Sequence, residues 1–149
     1  MTHRVVLIAA AFAGSSALAA FAGRRGAPSA EPTHTVWDSV YTATQATHGD
    51  SLYKGTCVKC HGATLSGGDE GTPLVGPAFL GNWRDLTLDQ LYDKIRTSMP
   101  PDNPKSIATR DVADLVAYLL SQNQFPAGAK TLTDSVDQLK DIKITTSRP

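Results

Sequence analysis

Two cysteines and a histidine lie within five residues of one another in the segment KGTCVKCHG, residues 54–62. They are Cys57, Cys60 and His61, and the chain contains no other cysteine. On a helix, residues i, i+3 and i+4 share one face, so we expect the three side chains to project together. Two thiols and an imidazole on one face can serve as a redox-active dithiol, as part of a zinc site, or as an attachment point for haem.

The surroundings of the motif favour one of these three possibilities. A redox-active dithiol is expected in a βαβ setting, and no such pattern surrounds the motif. A zinc site lacks a second C-x-x-C pair, so that only His34, His48 or a carboxylate could complete it. The spacing C-x-x-C-H is typical of covalent haem attachment, in which Cys57 and Cys60 form thioethers and His61 binds the iron. We therefore predict one covalently bound haem c.

The opposite face of a haem iron held by His61 takes a second ligand or stays open. Met99 lies 38 residues further on, in the segment IRTSMPPDNP, and is the only methionine apart from the initiator. The two prolines after it are expected to end the preceding helix and hold the backbone extended, which would present the thioether from a stiff loop. We predict Met99 as the distal iron ligand, with His48 as the main competitor and His34 as another alternative.

The N-terminal segment predicts export. Residues 1–22 combine a basic start at Arg4, a long apolar run and an Ala20-Phe21-Ala22 cleavage site, as in a secretory signal peptide. A retained membrane anchor is the alternative, although glycine, serine and many alanines make the run weakly hydrophobic. Residues 23–37 are rich in Gly, Pro, Ser and Thr and predict a flexible tether. The body of the protein is expected in the periplasm.

The distribution of charge argues against nucleic-acid binding. The chain has 14 Lys and Arg and 14 Asp and Glu, but three arginines and no acid lie in the first 30 residues, which leaves 14 − 3 = 11 basic residues against 14 acids. No basic cluster alternates with aromatic residues. The sequence also shows no catalytic carboxylate pair, Ser/His/Asp set or phosphate-binding loop, and we predict no enzymatic activity.

Three helices are predicted to surround the motif. The first covers about residues 46–60, and Gly49 on it would allow a close approach of the third helix, with Tyr53 against Leu115 or Leu119. The second begins at a capping box, Thr87-x-x-Gln90, and the third covers about residues 109–122. Helical periodicity predicts two buried faces: Leu88, Leu91, Tyr92 and Ile95 on the second helix, and Val112, Leu115, Val116 and Leu119 on the third.

The remaining segments are predicted to be less regular. Residues 62–82 are rich in Gly and Pro and predict a loop. Asp111 and Asp114 are interpreted as a solvated helix face. The C-terminal extension, residues 126–149, is compatible with either a short packing helix or an extended segment.

These features together resemble a class I cytochrome c, most closely the single-haem bacterial domains that occur alone or fused to quinoprotein dehydrogenases and oxidases. The similarity covers about residues 38–125 and rests on CVKCH (57–61), GPAFLGNW (76–83), the helix that ends at Met99, and VADLVAYLL (112–120). It implies an all-α fold with three main helices around one haem. It also implies a one-electron carrier between periplasmic or membrane redox enzymes.

The resemblance further implies roles for residues around the haem. The Pro77 carbonyl would accept a hydrogen bond from Nδ1 of His61 and fix the ring. Trp83 and Arg84 would lie near the haem propionates, with packing at the surface as the alternative.

Two other functions stay open beside the free carrier. The protein could be a haem subunit held in a larger dehydrogenase or oxidase, with residues 126–149 as an interface. It could also be a haem sensor or enzyme with an open sixth site, in which Met99 is merely packed. Asp69 and Glu70 make the loop after the motif acidic, unlike the lysine-ringed haem edge of mitochondrial cytochromes c.

Overall fold

The computed structural model describes residues 31–148 and is mostly helical. The predicted signal segment, residues 1–22, and residues 23–30 of the predicted tether lie outside this range. The described residues contain six α-helices: α1 (Ala43–Thr56), α2 (Val58–His61), α3 (Gly76–Trp83), α4 (Leu88–Ser98), α5 (Thr109–Gln122) and α6 (Val136–Leu139). The predicted all-α class is confirmed. No helix between residues 31 and 148 is long and apolar enough to cross a membrane.

Helices α1 and α5 pack closely at the centre of the fold because a glycine lies between them. Gly49 is buried on α1, and a Cβ atom there would overlap the backbone carbonyl of Asp114 on α5. The predicted close approach at Gly49 is therefore present. Tyr53, one turn further along α1, packs against the ring of Tyr118 with a centroid distance of 5.3 Å. Its predicted contact with Leu115 or Leu119 stays a prediction, and all three side chains are buried in the same core. Tyr118 is the neighbour of Tyr53 because it lies one turn beyond Asp114.

The apolar faces predicted for α4 and α5 form much of the core. Seven of the eight predicted side chains are buried and Ile95 is half-buried; the seven are Leu88, Leu91, Tyr92, Val112, Leu115, Val116 and Leu119. Helix α5 has the predicted bounds, Thr109–Gln122, although its N-cap is Ala108.

The predicted capping box at α4 is wrong. Thr87 is the N-cap of α4, but its hydroxyl contacts the Asp89 carboxylate instead of a backbone N–H group. The Gln90 side chain donates to this hydroxyl at 3.3 Å instead of accepting from the Thr87 N–H. The capping box forms at α1, where the Thr42 hydroxyl accepts from the Gln45 N–H and the Gln45 side chain accepts from the Thr42 N–H. Helix α1 consequently begins at Ala43, earlier than predicted.

The predicted loop at residues 62–82 is wrong for its last part, because Gly76–Trp83 form helix α3. Glycine and proline at its start are typical of loops, but proline is also favoured in the first turn of a helix, where its missing N–H costs no hydrogen bond. The Asn123 side chain fixes this start from the end of α5. It accepts from the Gly76 N–H at 2.9 Å and donates to the Leu74 carbonyl at 3.0 Å.

The C-terminal extension contributes to the same core as the helices. Its buried side chains are Leu132, Leu139, Ile142 and Ile144. Gln45 on α1 bonds both backbone groups of Leu132, donating to its carbonyl at 3.0 Å and accepting from its N–H at 2.7 Å. The extension thus contains both a helix, α6, and extended segments, the two forms that the sequence left open.

The end of the predicted tether is packed rather than flexible. Strand β1 (His34–Thr35) pairs in parallel with strand β2 (Ile142–Lys143) of the extension. The next residue, Val36, is fully buried, and the Trp37 indole donates to the Thr145 carbonyl at 3.2 Å. Val36 and Trp37 therefore anchor the start of the described residues, and Trp37 does so through a bond to the C-terminal extension.

Candidate haem site

The motif residues lie at the junction of α1 and α2. Cys57 caps the C-terminal end of α1, and α2 contains Cys60 and His61. The His61 N–H donates to the Cys57 carbonyl at 3.0 Å, so helical spacing continues across the junction. The backbone therefore keeps the i, i+3, i+4 relation that the sequence predicts for the three side chains.

Neither cysteine forms a disulfide, and both are half-buried. Burial raises the pKa of Cys57 to about 11, and the neighbouring Cys60 adds to the rise. The Cys60 Sγ lies 3.6 Å from the Glu70 carboxylate, to which it donates.

The orientation of the His61 ring is set by a backbone carbonyl. Nδ1 of His61 donates to the Thr72 carbonyl at 2.8 Å, which leaves Nε2 as the nitrogen available to a metal. The predicted acceptor, Pro77, lies in the first turn of α3 instead. Thr72 takes its place because Gly71 packs its backbone against Cys60, where a Cβ atom would overlap the Cys60 carbonyl group. The Pro77 hydrogen bond is therefore a wrong prediction.

Tyr53 connects α1 to the chain that follows the motif. Its hydroxyl donates to the Gly62 carbonyl at 2.6 Å. Burial raises the pKa of Tyr53 to about 12, with smaller contributions from Cys57 and Tyr118, so the hydroxyl remains a donor. Sequence reasoning missed both Tyr53 and Thr72 as neighbours of the motif. Their partners are backbone carbonyls, which leave no signal in residue types.

Met99 lies where α4 ends. Its N–H donates to the Ile95 carbonyl at 3.1 Å, its backbone is extended, and its side chain is half-buried. The peptide bond to Pro100 is cis. Helix α4 thus ends at the predicted residue, and ligation by Met99 stays a prediction. The same holds for the predicted haem contacts of half-buried Trp83, whose ring lies 6.4 Å from that of Phe79, and of exposed Arg84.

The two alternative histidines have carboxylate neighbours. Nδ1 of His48 lies 2.7 Å from a carboxylate oxygen of Asp114, and Nδ1 of His34 lies 3.7 Å from Asp38. His48 faces a cavity of about 760 Å³ that none of the motif residues lines. Asp114 is buried, so its predicted position on a solvated face is wrong. Asp114 is enclosed because its side of α5 faces Gly49 on α1.

The residues present fit a covalently bound haem. Two unpaired thiols and an imidazole with a free Nε2 occupy neighbouring helical positions. Half-buried apolar side chains on the motif, the following loop, α3 and α4 pack against the core and provide apolar surface; they are Val58, Leu74, Val75, Leu80, Trp83 and Ile95. A porphyrin requires apolar surface of this kind because its own faces are apolar.

The fold and this site define a class I c-type cytochrome domain. The family model described as cytochrome c oxidase, cbb3-type, subunit III matches residues 44–119, about half of the chain, and the protein belongs to this family of c-type cytochromes. It therefore binds haem c covalently and takes part in haem-based electron transfer. A search of characterised protein sequences found no significant match.

A solved structure with a similar fold is the sulfane dehydrogenase SoxCD from Paracoccus pantotrophus. The two sequences are 22% identical, and the superposition has a TM-score of 0.51. It covers 72% of this chain and 61% of the matched chain. At this identity the similarity concerns the fold alone.

Proposed function

We propose that the protein is an exported one-electron carrier whose single haem c has His61 and Met99 as axial ligands. A bound haem would supply a one-electron iron couple. The chain would hold the haem through Cys57 and Cys60, and the Thr72 carbonyl would hold the His61 ring in one orientation and tautomer. The observation that carries the proposal is the 2.8 Å bond from Nδ1 of His61, because it leaves Nε2 available as the proximal ligand.

The assignment of Met99 is supported by its position and by the contacts of its competitor. Met99 leaves α4 with an extended backbone, ahead of a proline-rich loop. His48 already bonds a buried carboxylate on α5. A Met thioether favours ferrous iron and raises the reduction potential, as a carrier at moderate or high potential requires.

The matched pair of variants Met99→Ala and His48→Ala tests the ligand. The wild-type ferric protein should show the weak charge-transfer band of Met–iron ligation at the red edge of the visible spectrum. Met99→Ala should abolish this band and lower the midpoint potential by on the order of 0.1 V. His48→Ala should leave both unchanged. Loss of the band in His48→Ala alone would instead indicate bis-histidine ligation, and rapid carbon monoxide binding by the wild type would indicate an open sixth site.

Export is proposed from the N-terminal sequence. Cleavage after Ala22 should give a periplasmic chain that begins at or soon after Gly23, as determined by intact mass. A membrane fraction that retains the full N-terminal segment would instead show an anchored carrier.

A second candidate is a haem subunit within a larger redox enzyme. It is favoured by the family description, which names an oxidase subunit, and by the fold shared with a chain of a dehydrogenase, SoxCD. The native protein would then elute from a sizing column as a complex far larger than the 15.8 kDa chain. A free carrier elutes near its own mass.

A further inference from the structure

A second cluster of ligating side chains lies away from the haem motif, where α1 crosses α5. It consists of His48 on α1 and of Asp111 and Asp114 on α5. One ligating atom from each residue lies within 4.8 Å of the other two. The two aspartates are spaced i, i+3, which places them on the same face of α5, and the histidine reaches them from the neighbouring helix.

The three side chains differ in exposure in a way that suits a bound ion. Asp114 is 4% exposed, Asp111 is half-buried and His48 is exposed. Burying a carboxylate costs free energy unless it is paired with an opposite charge or binds a metal. Within residues 31–148 the Asp114 carboxylate has one hydrogen-bond partner, the His48 ring, on one of its two oxygens. The bond from His48 reaches one of the two neighbouring carboxylates, that of Asp114.

Two of the three side chains, His48 and Asp114, line the cavity of about 760 Å³ described above. Residues 131–134 of the C-terminal extension form its opposite wall, and Gln45 holds that wall in place through Leu132. The cavity provides access from solvent and room for water molecules to complete a coordination sphere. Arg110 and Asp134 also line the cavity, so it contains a basic and an acidic side chain besides His48 and Asp114.

We propose that His48, Asp111 and Asp114 bind one divalent transition-metal ion of the zinc type. An imidazole beside two carboxylates suits such ions, whereas Mg²⁺ and Ca²⁺ prefer all-oxygen sites. With ligand distances of about 2.0–2.1 Å, two ligands of a tetrahedral zinc lie roughly 3.4 Å apart. The contact between His48 and Asp114, now 2.7 Å, therefore has to open by less than about 1 Å, which rotation of the exposed histidine permits. This site is independent of the proposed axial ligands.

Calorimetric titration of the haem-loaded protein with ZnCl₂ tests the site. The haem occupies the cysteines and His61, and His3 is changed to Ala in every protein so that the N-terminal segment offers no imidazole. The wild type should bind one Zn²⁺ per chain, and His48→Gln and Asp111→Asn should each weaken binding at least tenfold. His34→Ala is the matched control, because His34 faces the single carboxylate of Asp38, and it should bind as the wild type does.

Three results would overturn the proposal. They are no stoichiometric zinc binding by the wild type, undiminished affinity in His48→Gln, and equally tight binding of Ca²⁺, which would indicate a carboxylate-only site. Asp111→Asn keeps the bond between His48 and Asp114, so this variant should stay folded while it loses zinc affinity. Unchanged far-ultraviolet circular dichroism and haem spectra should accompany the loss of zinc in both variants.

Discussion

At the scale of single residues, Cys57 shows how position within a fold alters a thiol. It lies at the end of α1, half-buried, and its pKa is raised from 9.0 to about 11 by burial and by Cys60. The thiolate is therefore disfavoured throughout the physiological range. A redox-active dithiol needs a cysteine of lowered pKa, so the raised pKa of Cys57 argues against that function.

The raised pKa predicts slow alkylation of Cys57 in the haem-free chain. At pH 8 its reaction with iodoacetamide should be about a hundredfold slower than that of an unperturbed thiol, since only the thiolate reacts. The rate should increase about tenfold per pH unit until the pH approaches 11. Mass spectrometry of the peptide around Cys57 measures it. Guanidinium-unfolded protein is the control, and equal rates in folded and unfolded chains would contradict the prediction.

The sequence predicts candidate ligating residues but not the groups that orient them. C-x-x-C-H identifies Cys57, Cys60 and His61 because their chemistry depends on side-chain type and local spacing. The Thr72 carbonyl was missed, since any residue offers a carbonyl and only the path of the loop decides which one is near. Asp114 was misjudged for a related reason, because its burial depends on the approach of α1.

At the scale of helices, α1 contains two glycines, Gly49 and Gly55, and its close crossing with α5 depends on Gly49 alone. A Cβ atom at Gly49 would overlap the Asp114 carbonyl and approach the Tyr118 side chain, whereas one at Gly55 would meet nothing within 4 Å. Alanine at either position gains helix propensity, but only alanine at position 49 would overlap α5. Comparing the two variants therefore separates these effects.

Gly49→Ala should lower the free energy of unfolding by about 1–3 kcal/mol or more, because the helices must move apart. Gly55→Ala should raise it by about 0.5–1 kcal/mol, the usual gain for alanine in a helix. Guanidinium unfolding of the two haem-loaded variants, followed by circular dichroism at the helix band, measures both changes. Similar stability of the two variants would show that Gly49 is not needed for close packing.

Long, periodic elements were predictable and short ones were not. The buried faces of α4 and α5 follow from apolar residues that recur at helical spacing. The strands β1 and β2 have two residues each, and they pair only because the two ends of the described chain meet. No local pattern encodes such a contact. Thr42-x-x-Gln45 and Thr87-x-x-Gln90 have the same pattern in sequence, and only the first forms a capping box in the fold.

At the scale of the whole molecule, charge and topology set how the protein meets a partner. Residues 31–149 carry 11 basic and 14 acidic residues, a net charge of 11 − 14 = −3. Asp69 and Glu70 are exposed on the loop after the motif, and Glu70 lies 3.6 Å from Cys60. The C-terminal extension, in contrast, packs much of its apolar surface into the core. We infer that a partner approaching near the motif meets a negative field.

This field predicts opposite salt dependences for oxidants of opposite charge. Stopped-flow oxidation of the ferrous protein by the cationic tris(phenanthroline)cobalt(III) should slow as ionic strength rises, and oxidation by anionic ferricyanide should accelerate, because salt screens attraction and repulsion alike. Changing Asp69 to Asn and Glu70 to Gln together should flatten both slopes.

Changing Asp137 and Asp141 to Asn gives the same net charge with the acids of the loop intact, and both residues are exposed on the C-terminal extension. This control should retain most of each slope, since screening confines the effect of an exposed charge to about 10 Å at 0.1 M salt. Identical slopes in the two double variants would show that net charge, and not the acidic loop beside Cys60, directs the approach of a redox partner.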